Sequence, residues 1–217
     1  MKIAVINETS AADKNADVLA ALEGRGHEII NVGMTKSGAT PELTYIHTGL
    51  LSALLLNLGK VDLVVGGCGT GQGYLNSVLQ YPHVACGLIQ TPLDAWLFGQ
   101  INGGNCISLA LLVGYGWAGD INLKFIFDRL FSLPEFGQGY PPHREESQQQ
   151  SRRTLEAVSL TTHKSLAEII CSLDDTVIKP VLDYPGVREW VDVDSIADRE
   201  LAEALMTRDP GPSGVSR

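Results

Sequence analysis

Val61–Gly73 reads V-D-L-V-V-G-G-C-G-T-G-Q-G: an apolar, β-branched run that passes directly into a turn holding Gly67, Gly69, Gly71 and Gly73, one thiol (Cys68) and one hydroxyl (Thr70). A helical pattern resumes at Gly73, so the stretch is a strand–turn–helix unit of the kind that builds α/β folds. Glycines allow positive φ and close backbone approach. Successive N–H groups across Gly69, Gly71, Gln72 and Gly73 can therefore converge on an anion where the helix begins, with Cys68 and Thr70 beside it. The spacing is neither G-x-G-x-x-G nor G-x-x-x-x-G-K-[ST], which argues against a nucleotide. The plain alternative is a turn that only lets strand and helix pack, with Cys68 as a small buried hydrophobe.

Outward from this unit, residues 1–133 alternate between short β-branched runs and longer helical patterns. Strands are expected over Ile3–Ile6, His27–Val32, Leu63–Val65, Val84–Ile89 and Asn105–Leu109, and helices over Asp13–Glu23, Thr44–Leu58, Gly73–Tyr81, Leu93–Gln100 and Ala118–Phe131. Near-continuous apolar strands separated by helices imply a parallel sheet covered on both faces. The expected fold is a Rossmann-like three-layer α/β/α sandwich with a five-stranded parallel sheet. Ligands of such folds bind beyond the carboxyl ends of the strands, where the thiol turn, Asn7-Glu8-Thr9 and the loop from Gln90 all lie. After Leu133 a turn-rich stretch, P-E-F-G-Q-G-Y-P-P-H-R, leads into the polar run E-E-S-Q-Q-Q-S-R-R, and a helical pattern resumes over Leu155–Leu173. Residues 134–217 read as a helical C-terminal extension, packed on the 1–133 domain or on a second subunit and ending in a disordered tail, D-P-G-P-S-G-V-S-R.

The chain has 217 residues, 44% of them hydrophobic and 19% charged, with a formal net charge of −9. That acidity argues against nucleic acid as a partner, because phosphate binding needs a basic face. No apolar run approaches the ~18 residues of a membrane span, and M-K-I-A-V-I-N-E reads as a first strand rather than a signal peptide. Cys68, Cys86, Cys106 and Cys171 show no C-x-x-C spacing. Free thiols in a parallel sheet point to a reducing compartment, the cytoplasm. The histidines are scattered, so neither a metal site nor a cofactor is expected.

In order and in residues, the chain resembles the ribose-5-phosphate isomerase B and galactose-6-phosphate isomerase family over roughly residues 1–144. The resemblance rests on the opening M-K-I-A strand, G-R-G-H-E-I-I-N-V-G (Gly24–Gly33), C-G-T-G-Q-G (Cys68–Gly73) and N-G-G-N-C-I-S-L-A (Asn102–Ala110). It implies a homodimer, with a tetramer also open, whose active sites use both subunits, and a metal-free aldose–ketose isomerisation through an enediol. On this chain Cys68 would be the general base and Thr70 a hydrogen-bonding partner of the substrate oxygens. Backbone N–H groups at a helix start favour a thiolate and can stabilise an enediolate oxygen, so one loop would supply both functions. Asn102 matches a substrate-contacting asparagine, although a helix-capping role before Gly103 is open to it, and Asn105 matches one that shapes the same loop. Glu8 stands for a family aspartate near the substrate, with a solvated strand-end carboxylate as the other reading.

Thr9 stands where the family usually has a histidine, and Ile101 where it has the histidine thought to assist ring opening. The phosphate-clamping arginines are matched only by His143 and Arg144, after a shift in spacing, whereas a phosphate dianion calls for a larger donor set. The expected substrate is a sugar phosphate of the ribose 5-phosphate type. The alternative is 4-deoxy-L-threo-5-hexosulose uronate or a similar keto-sugar acid, which is open-chain and carries less charge. Two other classes stay open: a non-catalytic sugar-binding sensor, motivated by the missing imidazoles, and a thiol enzyme using Cys68 as a nucleophile. Trp96, Phe98 and Trp117 read as core or dimer interface, His47 and His83 as structural, Asp94 as support for a helix start, and Tyr74 with Gln72 as pocket residues beside the thiol.

Overall fold

The computed structural model describes residues 1–208; the tail expected to be disordered lies outside the described residues. Five strands form one parallel sheet: β1 (Lys2–Asn7), β2 (Glu28–Asn31), β3 (Leu63–Cys68), β4 (Cys86–Ile89) and β5 (Cys106–Ala110), in the order β2-β1-β3-β5-β4. The thiol strand β3 is central, with all six of its residues buried, in register from Ile3↔Leu63 to Asn7↔Gly67 and from Val64↔Cys106 to Cys68↔Ala110. This is the expected Rossmann-like sandwich.

On one face lie α1 (Asn15–Leu22), α4 (Pro92–Leu97) and α5 (Gly119–Leu130), closing a core with Ile3, Val5, Leu63, Val65, Ile107 and Leu109. On the other lie α2 (Tyr45–Asn57) and α3 (Gln72–Val78), over Ala4, Ile6, Val64 and Cys68. Thr48–Leu55 of α2 are all buried, which explains why that helix reads as apolar all round rather than as a stripe. The sheet covers one side of it and the C-terminal extension covers the other.

The extension holds α6 (Glu145–Thr162), α7 (Leu166–Ser172), α8 (Asp175–Leu182), α9 (Val187–Trp190) and α10 (Arg199–Arg208). Ile170, Ile178, Val181, Val187 and Leu205 join the core around α2. The helix expected over Leu155–Leu173 starts ten residues earlier and is broken at His163–Ser165, where Ser165 and Glu168 form a capping box for α7. The polar run is thus helix: it buries no residue but hydrogen-bonds its neighbours, and polarity hid it from a search for apolar periodicity. The helix expected over Leu93–Gln100 gives way after Leu97 to a π-helical turn, Phe98–Asn102, ended by Gly103 at φ 55°.

Candidate active site

Cys68 closes β3 at its carboxyl end, 6% exposed, with Sγ 3.9 Å from Thr70 Oγ1. The turn beyond it is held from several sides. The Cys68 carbonyl accepts from the N–H groups of Gly71 (3.3 Å) and Leu111 (3.1 Å), and the Gly69 carbonyl from those of Leu112 (2.9 Å) and Val113 (3.0 Å). Buried Ser108 on β5 donates to the Gly71 carbonyl at 2.6 Å. Gly71 sits at φ +74°, and a Cβ there would lie 2.5 Å from Leu88 Cδ1, so only glycine lets the chain turn into α3 at this point. Thr70 is exposed, and its Oγ1 accepts from the N–H of Gln72 at 3.3 Å. Gln72 is exposed too, and the ring of Tyr45, 43% exposed, lies over Gly73.

Glu8 and Thr9 follow β1 at the same end. Glu8 is only 3% exposed, so the solvated reading of this carboxylate does not hold. Its Oε1 accepts from both the backbone N–H (3.0 Å) and the hydroxyl of Ser10, and Ser10 Oγ accepts from the Gly69 N–H at 2.9 Å. Of the four turn N–H groups expected to face an anion, those of Gly69, Gly71 and Gln72 are therefore already bonded, to Ser10 Oγ, the Cys68 carbonyl and Thr70 Oγ1. Thr9 donates its N–H to the Leu43 carbonyl at 2.9 Å and is half-buried.

Tyr74 is not a pocket residue. It is fully buried, its hydroxyl 2.7 Å from Ser52 Oγ and 3.4 Å from Cys106 Sγ, and burial pushes its phenol well above the usual range. Trp117, read as core or interface, is 98% exposed in the single chain, while Phe98 is core. His47 caps α2, its Nδ1 3.1 Å from the Thr44 N–H and its Nε2 3.1 Å from the Thr176 carbonyl, and Asp94 accepts from Thr91 and Gln90 at the start of α4.

Asn102, His143 and Arg144 lie at the other end of the sheet. Asn102 precedes β5, whose far end pairs with Cys68; four residues of strand alone span roughly 13 Å. The turn Pro142–Arg144 follows a segment fixed at that same end, where Gly137 and Gly139 donate to the carbonyls of Gly99 and Gln100, each at 2.7 Å. Arg152, which the sequence reading passed over, reaches from α6 to the carbonyls of Gly137 (3.2 Å) and Gly103 (3.0 Å). Asn105 pins the approach to β4, accepting from the Ala85 N–H at 2.9 Å and donating to the His83 carbonyl at 2.7 Å. A cavity of about 100 Å³ lined by Gln90, Ala110 and Val113 adjoins the thiol turn at the carboxyl ends of β4 and β5, and one of about 530 Å³ lies away from it; Cys68 lines neither.

Residues 3–131 match the model of the Ribose/Galactose Isomerase family. Among solved structures, a ribose-5-phosphate isomerase from Vibrio parahaemolyticus is 40% identical, with a TM-score of 0.88, over 96% of this chain and 99% of that one. A 4-deoxy-L-threo-5-hexosulose-uronate ketol-isomerase complexed with a tartrate is 36% identical, with a TM-score of 0.87, over the same shares. A ribose 5-phosphate isomerase from Thermotoga maritima, 21% identical over 72% of this chain with a TM-score of 0.58, shares the fold. Among the described residues no helix is long and apolar enough to cross a membrane. A family match over more than half the chain, with two such relatives aligned through the C-terminal helices as well, makes this protein a sugar isomerase belonging to the Ribose/Galactose Isomerase family.

Proposed function

We propose that the protein is an aldose–ketose isomerase working through an enediolate, with Cys68 as general base, on an open-chain keto-sugar acid of the 4-deoxy-5-hexosulose uronate type. The observation that carries the reading is the free thiol of Cys68, nearly buried at the carboxyl end of the central strand with the Thr70 hydroxyl beside it. The thiolate takes the proton from the carbon bearing the hydroxyl, next to the carbonyl. The electron pair of that C–H bond forms the enediolate double bond, and the negative charge on the former carbonyl oxygen is met by Thr70 and backbone N–H donors. Return of the proton to the neighbouring carbon, with transfer of the hydroxyl proton between the two oxygens, completes the exchange without net redox.

The carboxylate substrate is favoured because neither position at which the family places a histidine carries an imidazole. His47 has both ring nitrogens engaged, and Thr9 and Ile101 stand at the two family histidine positions. A uronate with its carbonyl already free needs no such group. The 40% identity to a ribose-5-phosphate isomerase favours a second reading, a sugar phosphate.

We also propose that the working enzyme is a homodimer in which the Asn102, His143 and Arg144 end of one subunit completes the Cys68 end of the other. Within one chain those groups are separated by the length of the sheet, and Leu112, Val113 and Trp117 expose large apolar surface beside the thiol turn. The test is turnover of 4-deoxy-5-hexosulose uronate and of ribose 5-phosphate by wild type and Cys68→Ser. Wild type should convert the uronate faster, and Cys68→Ser should lose more than about 100-fold in kcat with nearly unchanged substrate binding. Near-normal turnover by Cys68→Ser would remove the base assignment. Conversion of ribose 5-phosphate alone would remove the keto-acid assignment and leave the base intact. Specific binding with no turnover of either would favour the sensor.

A further inference from the structure

The peptide unit that joins Cys68 to Gly69 is gripped at both of its polar atoms. Its carbonyl oxygen accepts from Leu111 and Gly71, and its N–H donates to Ser10 Oγ at 2.9 Å. Ser10 is itself fixed by Glu8, which receives the Ser10 N–H at 3.0 Å and the Ser10 hydroxyl proton on the same oxygen. A serine hydroxyl has a single proton. Once that proton is committed to the carboxylate, only lone pairs face Gly69, so Glu8 dictates the direction of the Ser10–Gly69 bond. The sheet does not need this link: β1 and β3 are already paired as far as Asn7↔Gly67, and Ser10 is exposed and packs in neither core.

We propose that Ser10 is a positioning residue for the isomerisation: oriented by Glu8, it holds the Cys68–Gly69 peptide so that the thiol stays aimed at the substrate carbon. This rests on Cys68 being the base. Glu8 then acts through Ser10 rather than on the substrate, and the Gly69 N–H serves the loop rather than the enediolate.

The experiment compares Cys68→Ser, Ser10→Ala, Ser10→Thr, Glu8→Ala and the Ser10→Ala/Glu8→Ala double variant. For each, kcat and KM are measured on the better of the two substrates above, together with solvent-deuterium incorporation at the substrate carbon and the thermal midpoint. Ser10→Ala is expected to lower kcat and deuterium incorporation about tenfold, with KM within about twofold and the midpoint within about 2 °C, a loss on the scale of one hydrogen bond. Ser10→Thr should recover to within about threefold of wild type. Glu8→Ala should match Ser10→Ala, and the double variant should be no slower than either single variant, since both cut one chain of bonds. Wild-type kcat in Ser10→Ala while Cys68→Ser is inactive overturns the role of Ser10 alone. Losses that multiply in the double variant show Glu8 acting independently and overturn the relay. A midpoint that falls in step with kcat makes Ser10 merely structural. Wild-type turnover by Cys68→Ser overturns the base reading beneath the proposal.

Discussion

The ring of Tyr74 fills the space that a Cβ at Gly66 would need, which would lie 2.1 Å from its Cζ, so a strand glycine and a helix tyrosine fit each other one layer beneath the thiol. Its hydroxyl is satisfied by Ser52, which also donates to the Thr48 carbonyl at 2.6 Å. Adjacency in sequence to Cys68 suggested a pocket. The first turn of α3 instead aims Tyr74 back across the sheet while Gln72, two residues earlier, faces solvent. If Tyr74 is core alone, Tyr74→Phe removes one buried hydrogen bond, worth about 1 kcal/mol, and leaves kcat within about twofold. For a chain of this size that is a fall of about 2–4 °C in thermal midpoint, read by calorimetry beside the rate assay. A tenfold loss of kcat with an unchanged midpoint would put the phenol back in the pocket.

At the level of elements, the strand–turn–helix unit at Val61–Gly73 was legible because glycine spacing and β-branched runs are local signals. The positions of Cys68, Thr70 and Glu8 at strand ends followed from the same alternation. Two things were not legible. Ser10 carries no periodic signal, and its role depends on a contact 59 residues away in the chain. The run E-E-S-Q-Q-Q-S-R-R has no apolar periodicity because its work is done by side-chain hydrogen bonds. Gln148 exchanges bonds with the backbone of Tyr140 (2.7 and 2.8 Å), Gln149 donates to the Gln138 carbonyl (3.0 Å), and Arg152 ties Gly137 to Gly103. Together they strap the 137–140 segment to the π-helical turn that precedes β5. A planar guanidinium spans two carbonyls; a lysine ammonium does not do so as a fork. Arg152→Lys is accordingly expected to lower the thermal midpoint by about 4–8 °C, from about 2 kcal/mol for charge-assisted bonds lost in a chain of this length. An unchanged midpoint would mean that the strap is not needed to hold the two segments together.

For the whole molecule the decisive fact is that the groups matched to substrate recognition sit at opposite ends of one parallel sheet. Helices α4 and α5 each begin at the carboxyl end and run back, so whatever follows them, Asn102 after α4 and Arg144 after α5, is delivered to the amino end. No side-chain rotation spans that distance. In the homodimer proposed above a second copy does, because an isologous interface that sets the amino-end loops of one chain against the carboxyl-end loops of the other makes the same contact twice over. Such an interface would cover Trp117 and Leu112, whose exposure in one chain is otherwise costly. Its consequence is complementation between subunits. Cys68→Ser lacks the base and Arg144→Ala lacks the anion partner, so each homodimer is expected to be impaired at both of its sites. In a heterodimer one site receives both lesions and the other receives neither. Mixing the two variants under conditions of subunit exchange should therefore restore up to about half of wild-type activity per heterodimer, tracked by turnover against the heterodimer fraction from native mass spectrometry. Heterodimers that form and stay as inactive as their parents would show that each site is built within a single chain or that Arg144 does not reach across the interface.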